Sequence, residues 1–135
     1  MRELLCKAKR KDNNEWLEGY YYKSWACKNG KKYDVHMIHN YELDDAYEIE
    51  IDTLCQLTHM TDVNGCKVWE NDIVETLSNN FVLQVVWSDT YQEFMFKRIK
   101  GGYDFMKDLV SELSSFTRDN KFEVVGNVFD KWVIL

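Results

Sequence analysis

Gln56-Leu57-Thr58-His59-Met60-Thr61-Asp62-Val63-Asn64-Gly65-Cys66-Lys67-Val68-Trp69-Glu70-Asn71-Asp72-Ile73-Val74 decides how this chain folds. Asn64-Gly65 supplies the two positive φ angles of a type I′ turn, so the stretch reads as a tight β-hairpin. Val68 and Trp69 then take opposite faces of a strand before Glu70-Asn71-Asp72 turns the chain into the next one. Asp62 stands where a carboxylate can accept backbone N–H bonds beside the hairpin, and Asp72 stands likewise in the second turn. Asn71 is the kind of non-glycine residue that best tolerates positive φ. Asp62, Asn64, Gly65, Asn71 and Asp72 are therefore read as turn architecture, in preference to paired catalytic carboxylates or cation ligands.

Toward the N-terminus, Leu4, Cys6 and Ala8 alternate with Glu3, Lys7 and Lys9, the period of a half-buried strand. Asp12-Asn13-Asn14 is a turn cluster, and the aromatic run through Tyr20-Tyr21-Tyr22 predicts a strand in which Gly19 marks a bulge or a close backbone approach. Asn29-Gly30 predicts a second type I′ hairpin. Strands are expected over 33–40 and, after an acidic loop, 47–51.

Toward the C-terminus, strands are expected over 81–87, 93–99 and 121–129. Phe105, Leu109, Leu113 and Phe116 recur at helical spacing and predict an amphipathic helix over 104–116.

The quoted stretch resembles the signature of the YopX family of small phage and prophage proteins. That signature runs tyrosine-threonine-glycine-leucine, a polar residue, aspartate, asparagine-glycine, then tyrosine-glutamate-glycine-aspartate-isoleucine-valine. His59 and Asn71 stand where the signature has glycine, and Cys66-Lys67-Val68-Trp69 varies its lysine-glutamate-isoleucine-tyrosine. Gly19-Tyr20-Tyr21 and Val125-Gly126-Asn127-Val128-Phe129 resemble the family's two ends. The resemblance implies a phage or prophage accessory protein and brings no settled biochemical activity with it.

Net charge is −6, unevenly distributed. Residues 1–32 hold nine Lys/Arg against four acids, and residues 33–66 hold eight acids and no Lys or Arg. Such segments can meet within one monomer or across the interface of a symmetric homo-oligomer. The first ten residues lack the apolar segment of a signal peptide, and no window approaches a membrane span. The expectation is a protein of the host bacterial cytoplasm, without membrane, whose four cysteines are reduced thiols.

Catalysis and metal binding find little support. His36 and His39 are three apart in a strand and so face opposite sides. Cys55 and His59 lack a second pair at zinc-site spacing. No nucleophile elbow and no phosphate-binding glycine loop appears. No cofactor, metal or catalytic residue is assigned. A partner-binding surface is the remaining candidate, with Lys7, Lys9, Tyr20, Tyr22 and Trp25 placing cations and rings in one third of the chain. Nucleic acid suits that mixture but is not favoured over rings in a core and lysines in solvent, because the whole chain is acidic.

The expected fold is mainly β: about eight short strands in a small barrel-like core, an N-terminal β subdomain and one packed helix. It is one domain, or two packed subdomains of about residues 1–55 and 56–135. Residues 68–87 look like an SH3-like barrel unit, an analogy of fold alone. The expected function is non-enzymatic, by binding or assembly with a phage or host protein. A nucleic-acid module and an enzyme with an unrecognised site are the alternatives.

Overall fold

The computed structural model describes residues 5–77, 81–90, 92–100, 110–112 and 121–130. The chain divides into two compact units, Met1–Leu57 and Thr58–Leu135.

The first unit contains β1 (Leu5–Lys9), β2 (Trp16–Lys28), β3 (Lys31–Asn40) and β4 (Asp45–Glu48), then a 3-10 turn at Ile51–Thr53 and the start of β5 (Cys55–Thr61). The strands pair antiparallel in the order β4-β3-β2-β1, and β1 takes Cys55 and Gln56 as its other neighbours. The alternation in β1 puts Cys6 and Ala8 into the interior. Ala8, Leu17, Ile38 and Ile49 form the core, with Tyr21, Tyr47 and Leu54 packed against it. Gly19 lies close against β3, where a Cβ would collide with the His39 carbonyl. Asn29 and Gly30 have φ of 53° and 75° and join the directly opposed Lys28 and Lys31, as a type I′ turn requires. The strand expected over 47–51 starts earlier and ends at Glu48. Ile49 then makes a single bridge to Arg10, and the chain tightens into the 3-10 turn, where Thr53 Oγ1 bonds the Glu50 carbonyl.

The second unit holds the rest of β5 beside β6 (Lys67–Trp69), followed by β7 (Asp72–Thr76), β8 (Val82–Ser88), β9 (Glu93–Lys100), β10 (Val110–Glu112) and β11 (Phe122–Asn127). The last five strands form an antiparallel sheet in the order β10-β9-β8-β7-β11. Val68, Val74, Leu83, Val85, Phe96 and Phe122 make its core, with Phe96 and Phe122 edge to face at 5.6 Å.

Four expectations need correction. The sheets are open, with β10 and β11 as edges of the five-stranded one, so the described residues form no closed barrel. The SH3-like analogy fails with it, because β6 lies in a different sheet from β7 and β8. Within the expected helix, Val110–Glu112 is a strand whose residues pair with Lys97, Phe96 and Met95 of β9. Backbone partners offered by an open sheet edge override a helical spacing of apolar residues there. The rest of 104–116 lies outside the described residues. Finally, the described residues form eleven strands where about eight were expected, and β2 and β3 are long, at 13 and 10 residues.

Candidate functional site

The acids of the quoted stretch are engaged in holding the backbone. Asp62 Oδ1 accepts hydrogen bonds from the N–H groups of Asn64 and Cys66, both at 2.9 Å, and Oδ2 accepts one from Val124 at 2.9 Å. Burial pushes the Asp62 carboxyl up, but the donors from Val124, Cys66 and Asn64 outweigh it and hold the group below the usual carboxylate range. The loop beside it differs from a type I′ turn. Gly65 N–H bonds the Asp62 carbonyl at 3.0 Å, Asp62 N–H bonds the Cys66 carbonyl at 2.9 Å, and of the Asn64-Gly65 pair Gly65 alone has positive φ, 80°. This is a three-residue loop, Val63-Asn64-Gly65, with glycine in the left-handed position. An aspartate before such a turn explains the difference, since its side chain bonds the N–H two residues on and favours the ordinary turn geometry.

Asp72 is held in the same manner. Its Oδ2 accepts the Trp69 N–H at 2.8 Å, and its Oδ1 accepts the Asn127 side-chain amide at 3.0 Å. Asn71 bonds Val85 O through its N–H at 2.7 Å, while its carbonyl accepts the Val128 N–H at 3.0 Å. Asn71 and His59 have φ of 69° and 67°. Both therefore hold the left-handed conformation at the places where the signature carries glycine, and the local turn survives the exchange of side chain.

The exposed chemistry lies elsewhere, in the first unit. Among the described residues β1 pairs β2 from Trp16 to Tyr20, and β4 pairs β3 from Met37 to Asn40. The Ile49 N–H also bonds the His36 carbonyl at 3.0 Å, and past these described pairings, from Ser24↔Val35 to Lys28↔Lys31, β2 and β3 continue as a two-stranded ribbon. Residues 22–36 carry four lysines against one aspartate, a net charge of +3 with histidine neutral. Trp25 and Tyr33 are exposed large side chains on it, and Tyr22 is exposed at its base.

Directly opposed residues of a ladder share a face. By that rule Lys7, Lys9, Tyr20 and Tyr22 lie on one face of the sheet and Trp25 on the other. The candidate residues are thus not one cluster. Lys7 and Lys9 are half-buried, with Nζ 4.5 and 5.4 Å from the centre of the Trp16 ring, and Tyr20 meets Tyr41 edge-on at 5.2 Å. On the ribbon, Lys32 Nζ lies 4.5 Å from the Trp25 ring centre and Lys23 Nζ lies 4.0 Å from Asp34. Lys23, at the base of the ribbon, and Tyr33, on it, are residues that sequence reasoning passed over. The double strand flanking Asn29-Gly30 was the available signal, since it places residues 23 and 33 on the same arm as Trp25.

Part of the charge asymmetry is settled within the unit. Lys11 Nζ lies 2.9 Å from Glu48, and the Arg10 guanidinium lies 3.8 Å from the Tyr47 ring centre. Among the described residues no group of three or more His, Cys, Asp and Glu side chains could hold a metal ion. His36 and His39 take opposite faces of β3, and Cys55 Sγ donates to the Thr53 carbonyl at 3.3 Å. No helix among the described residues is long and apolar enough to cross a membrane.

No curated protein matches the chain. The family model described as YopX protein matches residues 7–135, a span that takes in β2, the quoted hairpin and β11 alike. This chain belongs to the YopX family.

Proposed function

We propose that this YopX-family chain is a non-enzymatic accessory protein of phage or prophage origin that acts by binding in the host cytoplasm, with the β2–β3 ribbon as its contact arm. Family membership supports the origin. The reading against catalysis rests on the bonding of the signature carboxylates, since Asp62 and Asp72 accept from backbone and amide donors of their own unit.

The observation that carries the contact-arm reading is the ribbon itself. A two-stranded ribbon alone is marginal in water. Among the described residues this one extends past its sheet neighbours while presenting Trp25 and Tyr33 to solvent, with exposed Tyr22 at its base, on a net positive segment. Exposed Trp and Tyr rings are the usual anchors of a binding surface. Oxidative footprinting of Trp25 and Tyr33, in buffer and in clarified bacterial lysate, tests the reading. Protection confined to residues 22–36 is expected, whereas equal labelling in both conditions would remove the ribbon from the function.

A further inference from the structure

The end of the ribbon carries an arrangement that stability does not favour. Lys28 and Lys31 stand directly opposite one another across the turn, and like charges so placed destabilise a ladder. Lys32 follows on the other face, beside Trp25. Among the described residues Lys28, Lys31 and Lys32 have no carboxylate partner within ion-pair distance, while Lys23 has Asp34. Each face of the tip therefore combines a ring with unneutralised ammonium groups. Trp25, 60% exposed, lies with Lys32 on one face, and Tyr33 lies with Lys28 and Lys31 on the other.

Resting on the contact-arm reading above, we infer that the ribbon tip binds single-stranded nucleic acid. A phosphate lies between Lys28 and Lys31, relieving their repulsion, and a base stacks on the Trp25 indole with its neighbouring phosphate at Lys32. Stacking is available to every base, and the lysines meet the backbone as point charges, so binding is tolerant of sequence. A duplex fits less well. Residues 21–36 contain no arginine or glutamine, and the one asparagine, Asn29, is a turn residue, so planar side chains for bidentate contacts to base edges in a groove are lacking. A second copy of this chain would have to bring its acidic segment to the tip, and Glu48 of that segment is already engaged by Lys11.

The test is fluorescence anisotropy of the whole chain with labelled oligo-dT, its RNA counterpart and a duplex, at 50 and 200 mM salt. Two neutralised phosphates give a single-strand salt slope of about −1.4, so the fourfold rise in salt weakens binding about 7-fold. Lys28→Gln with Lys31→Gln leaves one lysine, and the same step then weakens binding only about 3-fold. Trp25→Ala lowers affinity by about 5-fold or more, and Trp25→Phe restores part of it. Circular dichroism and urea midpoints show whether each variant keeps its fold, and the phenylalanine variant serves if the alanine one does not. Absence of single-strand binding at 50 mM salt, or binding indifferent to both the lysine pair and Trp25, overturns the inference. Light scattering on the same samples separates the two failures. A salt-sensitive dimer lost on Lys28→Gln with Lys31→Gln would replace nucleic acid with a second copy while keeping the contact arm. A monomer that binds no oligonucleotide and shows no ribbon footprint in lysate would end both readings.

Discussion

The Asp72 carboxylate and the Asn127 side-chain amide meet at 3.0 Å, 2% and 3% exposed, and join β7 to β11 across fifty-five positions of chain. Neither group is in contact with bulk water, so the bond is worth more than a surface pair would be. Asn127 Oδ1 in turn accepts the Phe129 N–H at 3.0 Å, and Asp72 Oδ2 fixes Trp69. The two side chains together tie the end of β11 to the turn that opens β7.

Asn127→Ala removes one donor from a buried carboxylate and one acceptor from the chain after β11. A loss of about 2–4 kcal/mol is expected, in the range for a hydrogen bond to a charged group plus an abandoned partner. Urea denaturation measures it, and a change below about 0.5 kcal/mol would show that the bond contributes little.

Asp62 makes stability depend on acidity. Its folded pKa lies below the ordinary value of about 3.9, so its contribution is complete above that value and is lost as pH falls through the folded pKa. The stability gap between the native chain and Asp62→Asn should therefore narrow between about pH 5 and pH 2. A gap of constant size from pH 7 to pH 2 would assign the role of Asp62 to shape instead of charge.

The hairpin loops separate two kinds of asparagine. Gly65→Ala should cost about 1–2 kcal/mol, because the left-handed conformation at φ of 80° penalises a Cβ even in open space. Asn64→Ala should stay within about 0.5 kcal/mol, as at other surface sites without special geometry. Asn29, at φ of 53°, should be the costlier asparagine to replace. Thermal unfolding of the three variants checks the order, and a large loss at Asn64 alone would restore the two-residue turn.

Gly19→Ala should destabilise the first unit by about 1–3 kcal/mol or more, since the new methyl meets the His39 backbone carbonyl, which cannot swing aside as a flexible side chain can. A melting temperature equal to that of the native chain would mean that β3 shifts at no cost.

Sequence legibility followed the range of the interactions involved. The strand at β1 and the turn at Asn29-Gly30 are set by neighbours along the chain and could be read directly, whereas at Gly19 the sequence offered a bulge or a close approach and the His39 carbonyl of β3 decides for the approach. The turn after Asp62 was misread because a side chain that bonds Asn64 and Cys66 selects a geometry that the Asn-Gly pair alone does not. The pairing of Val110–Glu112 with β9, and the division of strands between two open sheets, depend on distant partners that no local period reports. For the candidate residues, composition placed rings and lysines together, but only strand register separates the Trp25 face from that of Lys7, Lys9, Tyr20 and Tyr22.

The place of β11 beside β7 has a consequence during synthesis. Val124 and Asn127 supply the donors for carboxylates 62 and 55 residues earlier, and Phe122 completes the core around Phe96. On the ribosome, Asp62 and Asp72 emerge well before these partners, and the sheet formed by β7, β8 and β9 is left with an unpaired β7 edge until Phe122–Asn127 follows. Such an edge is a template for capture by other strands. The nascent second unit is therefore most exposed to misassembly in that interval, and a chaperone that shields extended segments would act on it there, whereas the locally paired β2–β3 hairpin can form as soon as it leaves the tunnel.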